Sequence, residues 1–136
     1  MNMKIGELAR ITGAQIETIR YYERTGLMPA PPRTEGNYRI YGDKHAARLS
    51  FILHCRTLGM ALDDIRQLLG FKDAPQESCG NVNRLLDDHI ALVRERIRAL
   101  HALETVLQQL REQCPDARTV KDCGILKELS IPSGAR

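Results

Sequence analysis

Apolar residues recur between Cys79 and Cys114 at Val82, Leu86, Ile90, Val93, Ile97, Leu100, Leu103, Leu107 and Leu110, in steps of three and four. That spacing keeps one stripe on one side of an α-helix and comes close to a coiled-coil seam. Arg84, Asp87, Asp88, Arg94, Glu95 and Arg98 are among the charged side chains on the other faces. No proline interrupts the stretch, its one glycine is Gly80 at the start, and Pro115 follows it. The pattern predicts a single long helix over 79–113.

Upstream the pattern is shorter in period. Ile5, Leu8 and Ile11 space a first helix that Gly13 can cap in a left-handed conformation. Ile16 and Ile19 are the inward positions of a second, which Gly26 ends ahead of Pro29. Pro29-Ala30-Pro31-Pro32 is a stiff connector that cannot be helical. Arg33 to Tyr41 then reads as a small hairpin turning near Glu35-Gly36-Asn37. Asp43 is the expected cap of a third helix carrying Ala46, Leu49, Ile52, Leu53 and Cys55, which Gly59 ends. Leu62 to Leu69 makes a fourth, with Gly70 as its expected stop.

Two short helices joined by a glycine-containing turn form a helix-turn-helix, and the hairpin beside it forms a wing. The outward face of the second helix reads Glu17, Arg20, Tyr21, Arg24. Arginine suits a guanine edge or a phosphate, and a tyrosine hydroxyl suits a phosphate. The same four residues also make an ordinary solvated helix, with Glu17 against Arg20 and Tyr21 against Arg24. Arg33 and Arg39 on the hairpin fit a phosphate backbone or a solvated loop. Charge favours nucleic acid only slightly. The net +3 of the 136 residues falls entirely within 1–71, where ten basic side chains face seven acidic ones.

The four cysteines change the picture more. The start of the chain lacks an apolar leader-like run and no apolar stretch approaches membrane-spanning length, so a cytoplasmic protein is expected. There cysteines serve as thiols or metal ligands more often than as disulfides. Cys55 sits among core-spaced residues and reads as packing. Cys79, Cys114 and Cys123 bracket the long helix and the loop after it. Thirty-five helical residues would hold Cys79 and Cys114 roughly 50 Å apart. Two sulfurs on one ion must lie within about 5 Å of each other. If the helix is continuous, a metal site using both exists only between two chains whose helices pair antiparallel. Nothing resembles an enzyme's machinery: the sequence shows no histidine pair, glycine-rich phosphate loop or nucleophile–base set.

The runs Lys4-Ile5-Gly6-Glu7-Leu8-Ala9, Glu17-Thr18-Ile19-Arg20-Tyr21-Tyr22-Glu23, Gly36-Asn37-Tyr38-Arg39 and Arg48-Leu49-Ser50-Phe51-Ile52 together resemble the MerR family of bacterial transcription regulators. The resemblance spans essentially the whole chain. It implies a mainly α fold: a winged helix-turn-helix DNA-binding domain over 1–71, a dimerisation helix over 79–113 forming an antiparallel coiled coil, and a metal-binding loop with a short C-terminal helix over 114–136. It implies a homodimer on double-stranded promoter DNA that acts with RNA polymerase and distorts the promoter when metal binds. DNA contacts are expected from Thr18, Arg20, Tyr21, Arg24, Arg33, Tyr38 and Arg39.

Within that family, the copper-type branch carries serine where Cys79 stands, and the zinc branch has a doubled cysteine and a histidine in the loop. Here Pro115 follows Cys114 and no histidine lies beyond His101. The resemblance therefore implies a site of Cys79, Cys114 and Cys123 for a soft divalent ion, with Pb(II) or Cd(II) favoured by the surroundings of Cys79 and Cys123. One ion per shared site gives two per dimer. A mercury(II)-responsive or thiol redox-sensing regulator of the same fold is the alternative, and Zn(II) is a further candidate ion. His89 reads as a surface or interface residue, and residues 130–136 offer no histidines for a second site.

Overall fold

The computed structural model describes residues 2–135, so Met1 and Arg136, at the ends of the segments expected over 1–71 and 114–136, lie outside the described residues. Among the described residues six α-helices follow one another: α1 (Ile5–Thr12), α2 (Ile16–Arg24), α3 (Asp43–Thr57), α4 (Leu62–Lys72), α5 (Gly80–Arg111) and α6 (Gly124–Leu129). The chain divides into two compact units, Met1–Leu85 and Leu86–Arg136. No described helix is long and apolar enough to cross a membrane.

In the first unit α1 packs on α2 and α3, and α3 on α4. Leu8, Ile19, Leu27, Tyr41, Leu49, Ile52 and Ile65 are wholly or almost wholly buried, and Cys55 lies among them as expected. The turn between α1 and α2 depends on Gly13, which takes φ 79° and donates its N–H to the Ala9 carbonyl at 2.9 Å. Ile11 and Ile16 were expected to face the core, but both are exposed. A step of three residues falls about 60° short of a full helical turn, so positions three apart drift off the buried face of Leu8 and Ile19.

The wing is a hairpin of isolated bridges, and the described residues form no longer strand. Arg33 faces Arg39 and Met3 faces Tyr41. Asn37 takes a left-handed φ of 66° at the turn, the conformation that asparagine tolerates best after glycine. Two boundaries differ from expectation. Gly42, not Asp43, occupies the N-cap of α3, where its N–H donates to His45 Nδ1 at 3.0 Å. The fourth helix runs through Gly70 to Lys72. A helical glycine costs only about 1 kcal/mol, less than burying Leu68 and Leu69 on the same helix returns.

α5 is unbroken for 32 residues. It starts one residue later and ends two earlier than expected, with Cys79 accepting the Asn83 N–H at 3.0 Å just before it. Beyond Leu85 its apolar stripe is uncovered: Ile90, Val93, Ile97, Leu100, Leu103 and Leu107 are all exposed.

Candidate nucleic-acid interface and metal centre

α2 presents Arg20, Tyr21 and Arg24 to solvent, with Thr18 half-buried. Arg20 pairs with Glu17 at 3.0 Å, and the Arg24 guanidinium lies 5.9 Å from the Tyr21 ring centroid. Both local pairs anticipated for a solvated helix are thus present. Tertiary structure adds something the local pattern lacks: the wing folds back beside α2. A cleft of about 280 Å³ is lined by Arg20, Arg24, Arg33 and Arg39 together with Glu23. A second, of about 300 Å³, shares Arg20, Arg33 and Arg39 and adds Lys4 and Tyr38. Five of the seven expected DNA-contacting residues therefore meet on one basic surface. Thr18 and Tyr21 line a different cleft, with Tyr22, Arg56 and Leu62.

Three further residues build this surface. Lys4 lies 4.6 Å from the Tyr38 ring centroid, placing a cation over the exposed wing tyrosine. Glu23, on α2, accepts a hydrogen bond from the Tyr41 hydroxyl and an ion pair from Arg39 at 3.3 Å. One nearly buried carboxylate thus clasps α2 to the returning arm of the wing. Burial first, and the Glu23 carboxylate second, push the Tyr41 hydroxyl up to about 12. The sequence signal for Glu23 was present in the run Tyr21-Tyr22-Glu23, but its partners lie sixteen and eighteen residues away.

At the other candidate site, Cys79 is exposed, and Cys114 and Cys123 are half-buried. Cys123 is the N-cap of α6. Hydrogen bonding from the Leu126 backbone holds its thiol below the usual cysteine range, against some desolvation, with help from the Ile125 backbone and the Cys114 side chain. Cys114 Sγ also reaches the Asp116 carbonyl at 3.3 Å. Two of the three expected sulfurs therefore share this loop, one of them biased toward thiolate. Among the described residues no group of three or more His, Cys, Asp or Glu side chains could hold a metal within one chain. Two adjacent thiols with sulfur-only chemistry fit a soft ion better than an oxygen-loving one.

Known proteins resemble this chain over most of its length. The description "MerR HTH family regulatory protein" matches residues 3–72, and "MerR, DNA binding" matches 46–110. A ZntR homolog of Haemophilus influenzae is 48% identical over 111 residues, 82% of each chain. The mercuric resistance operon regulatory protein of Bacillus cereus is 39% identical over 129 residues, 95% of this chain and 98% of that one. The crystal structure of PbrR691 from Ralstonia metallidurans CH34, in complex with lead(II), superposes with a TM-score of 0.86 at 50% identity, covering 94% of this chain and 99% of that one. The chain belongs to the MerR family of helix-turn-helix regulatory proteins. Its full-length relatives place it with the family's metal-responsive transcriptional regulators, and it is not an enzyme.

Proposed function

We propose that this regulator responds to lead(II) or cadmium(II), binding promoter DNA as a homodimer and activating heavy-metal resistance genes when the ion is bound. Cys79 of one protomer, with Cys114 and Cys123 of its partner, would hold the ion as thiolates, two sites per dimer. The ion supplies a cross-link between protomers, and the chain's own residues do the rest. Arg20, Arg24, Arg33, Tyr38 and Arg39 grip the phosphate backbone beside the recognition helix, with Thr18 and Tyr21 reaching the DNA from its other side. The uncovered stripe of α5, centred on Ile97 and Leu100, packs against the same stripe of the partner. An effector shifts a two-state equilibrium only by its difference in affinity for the two states. Joining the Cys114–Cys123 loop to the partner's Cys79, at the base of the partner's DNA-binding half, gives such a difference. Bending a promoter smoothly costs on the order of several kcal/mol, which sets the scale of the coupling required.

The observation that carries this reading is the placement of the cysteines. Gln113 and Gly124 lie against each other and put Cys114 and Cys123 in one loop, whereas 32 unbroken helical residues follow Cys79, a rise of about 48 Å. A mercury-responsive regulator is the second reading, supported by the 39% identity to the B. cereus mercuric resistance regulator across nearly the whole chain. Competitive titration with Pb(II), Cd(II), Hg(II) and Zn(II), reading transcription from the cognate promoter, tests the choice. Half-maximal activation at the lowest free concentration by Pb(II) or Cd(II) is expected. A lower threshold for Hg(II) would replace this reading with the second, and activation by oxidant alone would replace it with a redox sensor.

A further inference from the structure

Gly124 follows Cys123 and makes an unusually close approach. A Cβ built on it would stand 2.3 Å from the Gln113 carbonyl oxygen and 3.2 Å from the Gln113 carbonyl carbon. Ordinary C···O contacts begin at about 3.3 Å, so any side chain here requires roughly 1 Å of backbone separation. The obstacle is main chain on both sides and cannot be relieved by rotating a side chain. Gly124 is not among the residues of positive φ, so the requirement is for space and not for a left-handed backbone.

The place of this contact gives it meaning. Gln113 immediately precedes Cys114, and Gly124 immediately follows Cys123. The two backbones touch at the neck of the loop, one residue outside each cysteine. Inside the neck lie the two cysteines, each one residue from the backbone contact and both half-buried. Ile125 is half-buried beyond it, at the start of α6. Because the contact lies one residue outside each cysteine, the distance across it sets how far apart the backbone stands at Cys114 and Cys123.

We propose that Gly124 is a positioning residue for the cysteine pair: the missing side chain lets α6 seat on the Gln113 carbonyl, and that seat preassembles Cys114 and Cys123 as a dithiol before any ligand arrives. As a contribution to metal sensing this rests on the function proposed above, but the preassembled dithiol is a property of the chain without metal.

Phenylarsine oxide measures it in the metal-free, full-length protein. Its arsenic(III) takes two thiols, forming two As–S bonds and releasing its oxygen as water with the two thiol protons, without oxidation or reduction. The measurement uses a Cys79→Ser background, in which Cys55 is buried. Gly124→Ala should weaken capture by roughly tenfold or more, because the effective concentration of the second thiol falls, while iodoacetamide still alkylates both loop cysteines. Gly134→Ala is the matched control, since a Cβ there meets nothing within 4 Å. It should leave capture unchanged. Capture by Gly124→Ala equal to that of the control would overturn the assignment. So would loss of the dimer by sedimentation, because a contact at the neck of the loop must act locally. If the parent captures the arsenical and Gly124→Ala does not, yet neither full-cysteine protein binds Cd(II) or Pb(II), the seat stands and the metal-sensing function fails.

Discussion

Replacing Tyr41 with phenylalanine isolates the clasp between recognition helix and wing. The ring is fully buried, and its edge-on contact with His45, at 5.4 Å between centroids, survives the change. What is lost is the hydroxyl bound to Glu23, whose side chain is 9% exposed and keeps only Arg39 as a partner on the wing. A hydrogen bond to a charged group contributes about 1.5–3 kcal/mol, so Tyr41→Phe should cost about 2 kcal/mol. The pH dependence supplies a second test. Burial first, and the Glu23 carboxylate second, raise the hydroxyl from 10.0 to about 12, so its ionisation opposes folding in the alkaline range. Because the folded-state value is raised, this stability is fully present below pH 10 and is lost as pH climbs to about 12. Urea unfolding of wild type and Tyr41→Phe at equal dimer concentration, stepped through that range, should show the two converging. Equal stability at neutral pH, or a gap that stays constant through the alkaline range, would refute the clasp. Operator affinity should fall in the same variant, with Cd(II) affinity of the free dimer unchanged.

Other consequences are as direct. Arg20→Ala and Tyr21→Phe should each weaken operator binding, measured by fluorescence anisotropy, without altering metal affinity of the free dimer. Arg39→Ala should weaken binding to all DNA sequences alike and lower the slope of log affinity against log salt by about one; an unchanged slope would mean that Arg39 stays on Glu23 and touches no phosphate. Leu49 is fully buried in the first unit, so Leu49→Ala should lower unfolding free energy by about 2–5 kcal/mol, and a loss below 1 kcal/mol in urea would contradict that packing.

Elements set by local rules were legible from the chain itself. Gly13 and Gly26 punctuate α1 and α2 with left-handed φ, as their positions after apolar-spaced helices suggested. The long helix followed from nine apolar positions, and its unbroken course met the condition on which the two-chain site depends. Misplaced details were those in which a weak local signal met a stronger one. Gly70 was outweighed by Leu68 and Leu69, and Asp43 lost the cap to Gly42 once His45 could accept from its backbone. Features made by distant segments meeting were not legible. Glu23 finds Arg39 and Tyr41 only when the wing returns, and the space at Gly124 exists only because Gln113 comes back against it. Composition and periodicity carry no record of such approaches.

The shared metal site is the central claim, and mixed dimers test it most directly. Cys79→Ser alone should lose high-affinity metal at both ends of the dimer, as should the Cys114→Ser, Cys123→Ser double variant. In a heterodimer of the two, the double variant's Cys79 faces the single variant's intact Cys114–Cys123 loop, and the opposite end has no ligating cysteine. Differently tagged chains, co-expressed, purified as heterodimers and titrated with Cd(II) while thiolate-to-metal absorption is followed, should bind about one ion per dimer, half the wild-type stoichiometry. A heterodimer that forms and binds none would contradict the two-chain site and the antiparallel pairing of α5 on which it depends.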